Sequence, residues 1–127
     1  MFFPVNFRRF TWSPGSSDPG ERMDFSKLNG LIPAVIQDAD TRDVLMVGFM
    51  NEAAFERTRA TGYVTFYSRT RQSLWTKGET SGNRLAVLRM YADCDQDTLL
   101  IEVRREGAGF VCHTGTVSCF ADRGISG

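Results

Sequence analysis

With 127 residues, 42% of them hydrophobic and 24% charged, the chain has the length of one ordinary domain and can build a core without a disulfide framework. Its 15 Lys and Arg balance 15 Asp and Glu, so no global field is available to hold a polyanion, which argues against a dedicated nucleic-acid or membrane-surface binder. Three cysteines are an odd number for a fully paired secreted scaffold, and no apolar run approaches the roughly 20 residues of a membrane span, so the expected setting is the cytoplasm, with reduced thiols.

Residues 1–22 mix Pro4, Pro14 and Pro19 with Gly15, Ser16, Ser17 and Gly20, and their aromatic residues keep no period. They read as an N-terminal arm or tail. A globular pattern starts just after Met23, and a single domain is expected over 23–127. Leu31 to Ile36 and Val44 to Met50 are apolar runs around a polar connection, the mark of a hairpin. Asn51 can cap a short helix over residues 52–61, with Glu52 and Glu56 near its positive end and Gly62 closing it. Tyr63 to Tyr67, Leu85 to Tyr91 and Thr98 to Val103 are strands by β-branched and aromatic content. The expected class is α+β: a strand-dominated, barrel-like antiparallel sheet with one or two short helices.

The neutrality of the whole conceals a local imbalance. Between Arg57 and Arg89 seven basic residues are opposed only by Glu79, whereas Met90 to Glu106 is net acidic. Thirteen of the 15 basic residues are Arg, whose planar fork suits phosphate. Charge alone fits a solvated face as well. The segment from Phe66 to Asn83 adds hydroxyls, an amide, and Gly78 and Gly82, which let backbone N–H groups approach an anion. It lacks the spacing of a Walker loop and reads either as a phosphate site or as a polar surface loop.

Cys94, Cys112 and Cys119 are soft donors that suit zinc, and three thiolates with no obvious fourth ligand favour an open, catalytic site over a closed, structural one. Buried free cysteines and a redox pair of Cys112 with Cys119 are the competing readings. Asp93, Asp95 and Asp97 alternate, so an extended segment would point all three carboxylates to one face, where a hard cation such as Mg²⁺ would relieve their repulsion. A charged turn before a strand explains them equally. The EF-hand pattern fails, because Thr98 and Arg104 stand where its glycine and its bidentate glutamate belong. His113, the one histidine, adjoins Cys112, and imidazole as a side-chain type has an unperturbed pKa near neutrality, which suits it to moving a proton beside a metal.

Taken together, Trp75-Thr76-Lys77-Gly78-Glu79-Thr80-Ser81-Gly82-Asn83, Asp93-Cys94-Asp95-Gln96-Asp97, Cys112-His113-Thr114-Gly115 and Ser118-Cys119-Phe120 closely resemble the phosphoribosyl-AMP cyclohydrolase family of histidine biosynthesis. Leu28-Asn29-Gly30-Leu31-Ile32-Pro33-Ala34, Met50-Asn51 and Thr65-Phe66-Tyr67-Ser68-Arg69 extend the resemblance from about Phe25 to Phe120, with small departures at Gly48-Phe49 and Val111. The arm lies outside it. The resemblance implies hydrolytic opening of the N1–C6 bond of the adenine ring in phosphoribosyl-AMP, by zinc-activated water with Mg²⁺ assisting. It also implies an intertwined homodimer with one Zn²⁺ and one Mg²⁺ per subunit. Cys94 of one chain with Cys112 and Cys119 of the other would hold zinc, and Asp93, Asp95 and Asp97 magnesium. His113 is the expected base, and Ser68, Arg69, Trp75, Lys77, Ser81 and Asn83 are expected to contact the phosphorylated substrate. The rival reading is a zinc-stabilised nucleotide-binding module without catalysis.

Overall fold

The computed structural model describes residues 9–10 and 23–126. Among the described residues, seven strands and one helix follow in chain order: β1 (Arg9–Phe10), β2 (Ile32–Asp38), β3 (Val44–Met50), α1 (Glu52–Thr61), β4 (Thr65–Ser68), β5 (Ser73–Thr76), β6 (Leu85–Ala92) and β7 (Leu99–Arg105). The chain is strand-dominated α+β, as its composition suggested. Beyond β1, which pairs with β6 through Arg9 opposite Tyr91 and Phe10 opposite Met90, the expected arm lies outside the described residues.

Five strands form one open sheet in the order β1-β6-β7-β2-β3, and β4 and β5 form a separate two-stranded sheet. The expected barrel-like antiparallel sheet is therefore corrected in two respects. The sheet does not close, and β2 pairs with β7 in parallel, Ala34 opposite Leu99 through Asp38 opposite Val103. A parallel pair needs a long crossover; here everything from β3 to β6 supplies it. Along β2, Ile32, Ala34, Ile36 and Asp38 are buried while their neighbours are half-buried, the period of a sheet covered on one face. Leu99, Ile101 and Val103 of β7 meet them in the core with Phe55, Phe66 and Met90.

The helix forms where capping residues permit. The Asn51 side chain accepts from the N–H of Ala54 at 2.8 Å, and Gly62 ends the helix in the left-handed region at φ 79°. Thr58 Oγ1 lies 2.9 Å from the Ala54 carbonyl and accepts from Thr65 N–H at 3.0 Å, tying α1 to β4 inside the core. Strand β5 was not expected: its residues read as part of a polar loop. It pairs Phe66 opposite Trp75 and Thr65 opposite Thr76, with the tight turn closed by Gln72 at φ 51°.

Two buried carboxylates organise the sheet. Glu102 receives Arg89 Nε at 2.6 Å and Arg42 Nη1 at 2.8 Å. Asp38 receives Arg105 Nε at 2.5 Å, and Arg105 Nη1 also donates to the Gly109 carbonyl at 2.8 Å. Burial works against the charge on Asp38. The Arg105 guanidinium and the N–H groups of Thr41 and Asp40 outweigh it and hold the carboxyl below its ordinary range. The apparent basic stretch thus contributes structure as well as surface, since Arg89 serves Glu102 and Arg59 pairs with Glu56 at 3.4 Å.

Candidate active site

The loop after β5 is the first component. Lys77 N–H donates to the Val64 carbonyl at 3.0 Å and Gly82 N–H to that of Gly78 at 2.8 Å, so the segment is a hydrogen-bonded turn. Gly78 has φ 81°, and a Cβ there would stand 2.3 Å from the Asn83 carbonyl carbon and oxygen. Only glycine allows this closeness. Asn83 Oδ1 accepts from Ala108 N–H at 2.8 Å, which joins the loop to the segment leading into Cys112, and the Asn83 amide nitrogen has no protein partner among the described residues.

The second component is the loop from Cys112 to Cys119. Cys112 N–H donates to the Thr116 carbonyl at 3.1 Å and Val111 N–H to that of Val117 at 3.2 Å, which folds the loop back on itself. It is anchored to β3, where Cys119 N–H donates to the Leu45 carbonyl at 2.8 Å and Ser118 Oγ to that of Val44 at 2.6 Å. The fold brings the Cys112 and Cys119 side chains near enough for each to act on the other's ionisation. Hydrogen bonds from the Thr114 side chain and backbone lead the causes that bring the Cys112 thiol down to about 6. Burial, followed by the neighbouring Cys112 sulfur, pushes Cys119 up, against the opposing charges of Lys77 and Arg123. One sulfur is therefore readily ionised beside a second that is not, and a divalent soft metal would draw the proton from the latter as well.

A cleft of about 340 Å³ opens between the two loops, lined by Trp75, Lys77, Ser81, Asn83, Cys112 and His113 among others. Six of the residues singled out in the sequence are thus brought together. Lys77 Nζ lies 5.2 Å from the centre of the Trp75 ring, and the exposed His113 imidazole has no hydrogen-bond partner among the described residues. Ser68 lies elsewhere: it lines a second cleft of about 340 Å³ with Thr70, Arg71 and Trp75, which forms a wall of both. Arg69 lines neither and stacks on Phe49 at 4.6 Å.

The third component is the turn between β6 and β7. Asp93, Asp95 and Asp97 each offer an oxygen within 4.8 Å of the others, the one grouping of three such donors among the described residues. The extended geometry expected for this segment is corrected. Asp93 Oδ1 accepts from the N–H groups of Asp97 at 3.0 Å and Thr98 at 3.2 Å, and Gln96 takes φ 60°, so the carboxylates converge because the chain turns. Lys27 Nζ already bridges Asp95 at 2.9 Å and Asp97 at 3.0 Å. That contact raises the Lys27 ammonium further and leads the causes that lower Asp95. Cys94 is exposed in the same turn, its Sγ 3.5 Å from Asp95 Oδ1, and one chain does not bring it to Cys112 and Cys119. Sequence reasoning missed Lys27, Thr114 and Arg123. Thr114 carried a signal, being a hydroxyl two residues past a candidate ligand. Lys27 and Arg123 carried none.

Neighbouring thiols, three converging carboxylates and a cleft that holds Lys77, Glu79 and the one imidazole give a small α+β domain whose donor groups are of the types that hold metal ions. The family model of phosphoribosyl-AMP cyclohydrolase matches residues 46–121, and the chain belongs to that family. It is 58% identical over 101 residues to the histidine biosynthesis bifunctional protein HisIE of Bacteroides thetaiotaomicron, covering 80% of this chain and 49% of that protein. It is 50% identical over 105 residues to the phosphoribosyl-AMP cyclohydrolase of Desulforapulum autotrophicum, covering 83% of each. The protein of that name in Desulfatibacillum aliphaticivorans is 53% identical over 98 residues, covering 77% of this chain and 78% of the relative. The chain spans about half the length of the bifunctional relatives it matches. Among the described residues no helix is long and apolar enough to cross a membrane.

Proposed function

We propose that this chain hydrolyses the N1–C6 bond of the adenine ring of 1-(5-phosphoribosyl)-AMP, giving the phosphoribosyl-formimino aminoimidazole carboxamide ribotide, the third step of histidine biosynthesis, in the cytoplasm. The observation that carries this reading is the single cleft that gathers Cys112 and His113 with Lys77, Ser81 and Asn83. Names printed for relatives covered over most of their length agree with it.

The proposed assembly is a homodimer, with Cys94 of one chain and Cys112 and Cys119 of the other holding one zinc per subunit. The donor set fits: two neighbouring sulfurs with one readily ionised, and an exposed third that joins no group of three donors among the described residues. Asp93, Asp95 and Asp97 fit a hard cation such as Mg²⁺ in having three convergent oxygens, two of which, on Asp95 and Asp97, now share the Lys27 ammonium. When bound, zinc supplies a Lewis acid that makes water nucleophilic near neutral pH.

The rest is the work of this chain's residues. Lys77 places a positive charge at the cleft, and Ser81 and the Asn83 amide nitrogen offer hydrogen bonds to a phosphate, ribose or base, while Trp75 supplies a flat apolar wall. His113 takes the proton of the attacking water as it adds to C6. The same imidazolium then protonates N1, and the C6–N1 bond breaks. The exposed imidazole, with no hydrogen-bond partner among the described residues, leaves both ring nitrogens open to water and substrate.

The test is conversion of phosphoribosyl-AMP by the purified, zinc-loaded protein, followed by loss of the adenine absorbance. Cys112→Ser is expected to abolish turnover and lower zinc content. His113→Ala is expected to lower the rate about 10²-fold or more at unchanged zinc content. Turnover that survives both metal removal and Cys112→Ser would overturn the proposal, and nucleotide binding without turnover would make the chain a zinc-stabilised binding module.

A further inference from the structure

The Cys112–Cys119 loop is gripped by a residue outside the segment matched by the family model. Arg123 Nη1 donates to the Cys119 carbonyl at 2.9 Å, and Nη2 donates to Thr114 Oγ1 at 2.9 Å. Thr114 Oγ1 in turn lies 3.1 Å from Cys112 Sγ.

The proton inventory gives this chain a direction. A guanidinium can only donate, so Thr114 Oγ1 must accept from Arg123, and its one proton remains to be placed. Thr116 Oγ1 lies 3.5 Å away, but its own proton goes to the Ser118 carbonyl at 2.8 Å, and the separation is long for a hydroxyl pair. Cys112 Sγ, at 3.1 Å, is the nearer acceptor and lies well within range for sulfur. With Arg123 donating to the hydroxyl oxygen and Thr116 committed to the Ser118 carbonyl, the bond runs from the hydroxyl to the sulfur.

We propose that Thr114, oriented by Arg123, is a positioning residue for the metal centre, its hydroxyl donating to the Cys112 sulfur and so fixing both the direction and the donor strength of that ligand. This rests on the reading of Cys112 and Cys119 as metal ligands. A hydrogen bond to a thiolate draws electron density from it, and a metal held by a weaker donor is the stronger Lewis acid. Three thiolates around one zinc would otherwise make a poor one. Arg123 is exposed, so its bonds add little to stability, and its effect is on the orientation of the hydroxyl.

The experiment uses the full chain with Co²⁺ in place of zinc, reading the sulfur-to-cobalt charge-transfer band, together with retention of zinc against a chelator. Thr114→Val is expected to move the band to lower energy and, because the lost orientation of the sulfur outweighs its gain in donor strength, to weaken zinc retention roughly tenfold; Thr114→Ser is expected to restore both. Arg123→Met is expected to move the band in the same direction by less, to leave the melting temperature within about 2 °C, and to add nothing in the Thr114→Val background. An unshifted band in Thr114→Val overturns the inference, as does an Arg123→Met shift that persists undiminished in that background. Absence of any sulfur-to-cobalt band in the parent protein overturns instead the ligand reading beneath it, and the inference falls with that reading.

Discussion

Gly78 and Gly82 offer a matched comparison within one loop. Both have φ 81°, but a Cβ at Gly82 meets nothing within 4 Å, whereas one at Gly78 stands 2.3 Å from the Asn83 carbonyl group and 2.5 Å from Arg84 N. Alanine at Gly82 therefore bears only the left-handed backbone conformation, about 1 kcal/mol. Alanine at Gly78 bears that and a contact with backbone that no rotamer change relieves, adding about 1–3 kcal/mol. The expected totals are about 1 kcal/mol for Gly82→Ala and about 2–4 kcal/mol for Gly78→Ala, or melting shifts of roughly 5 °C and roughly 10–20 °C for a domain of this size. Urea unfolding followed by tryptophan fluorescence measures both. The difference reaches function because opening the Gly78 turn displaces Asn83, whose Oδ1 holds Ala108 N–H at 2.8 Å near the entry to Cys112. Turnover should fall in Gly78→Ala even where the protein is fully folded, and stay near the parent value in Gly82→Ala. Equal losses of stability in the two variants would refute the reasoning, since they share everything but the contact.

Three further outcomes follow from the ion pairs and the helix cap. A carboxyl whose folded pKa is depressed contributes stability above its ordinary 3.8 and loses it as pH falls through the folded value, so Asp38→Asn is expected to flatten the acid limb of the stability profile and to cost about 2–3 kcal/mol at neutral pH by stranding Arg105; an unchanged acid limb would count against Asp38 as its source. Lys27→Met should lower the melting temperature in chelator and enlarge the rise on adding Mg²⁺, because the ammonium and the ion compete for Asp95 and Asp97; identical Mg²⁺ responses would show that they do not. Asn51→Ala removes the acceptor of Ala54 N–H at 2.8 Å and should cost about 1 kcal/mol by urea denaturation, with no change in turnover per folded molecule.

Where local chemistry decides the structure, the sequence was legible. Asn51 and Gly62 bounded the helix because a cap and a left-handed closure are properties of a few adjacent residues. The apolar runs Leu31 to Ile36 and Val44 to Met50 around a polar connection marked a hairpin, and β2 and β3 do pair antiparallel. What could not be read was pairing between distant strands: nothing in Leu99 to Val103 says that its neighbour is β2 or that the pair runs parallel. The β5 strand was hidden because Ser73 and Thr76 are as common in loops, and only Phe66 and Trp75 facing each other across the hairpin give the segment its register. The carboxylate triplet was found for a partly mistaken reason. Alternation suggested one face of an extended chain, while the convergence comes from Asp93 capping a turn. Lys27, 68 and 70 residues from its partners, had no local signal at all.

The same topology makes the proposed zinc site a statement about assembly. Cys94 is fixed in the β6–β7 turn and the other two thiols in a loop pinned to β3 through Leu45 and Val44, at the opposite edge of the sheet order from β6. The two anchors belong to different strands of one packed sheet, and among the described residues the three sulfurs do not gather within 4.8 Å of one another, so a chain in this conformation does not close them on one ion. If the three thiols share a metal, they do so between chains, and complementation follows. Cys94→Ser and Cys112→Ser should each be inactive alone. In a mixed dimer of the two, one site combines both lesions, while the other joins the intact Cys94 of the second variant to the intact Cys112 and Cys119 of the first. Random exchange makes half the dimers mixed with one of two sites whole, so about a quarter of the parent turnover and zinc content should return on mixing after subunit exchange. Two folded variants that exchange subunits, shown by mass, and remain inactive and zinc-free would refute the shared site.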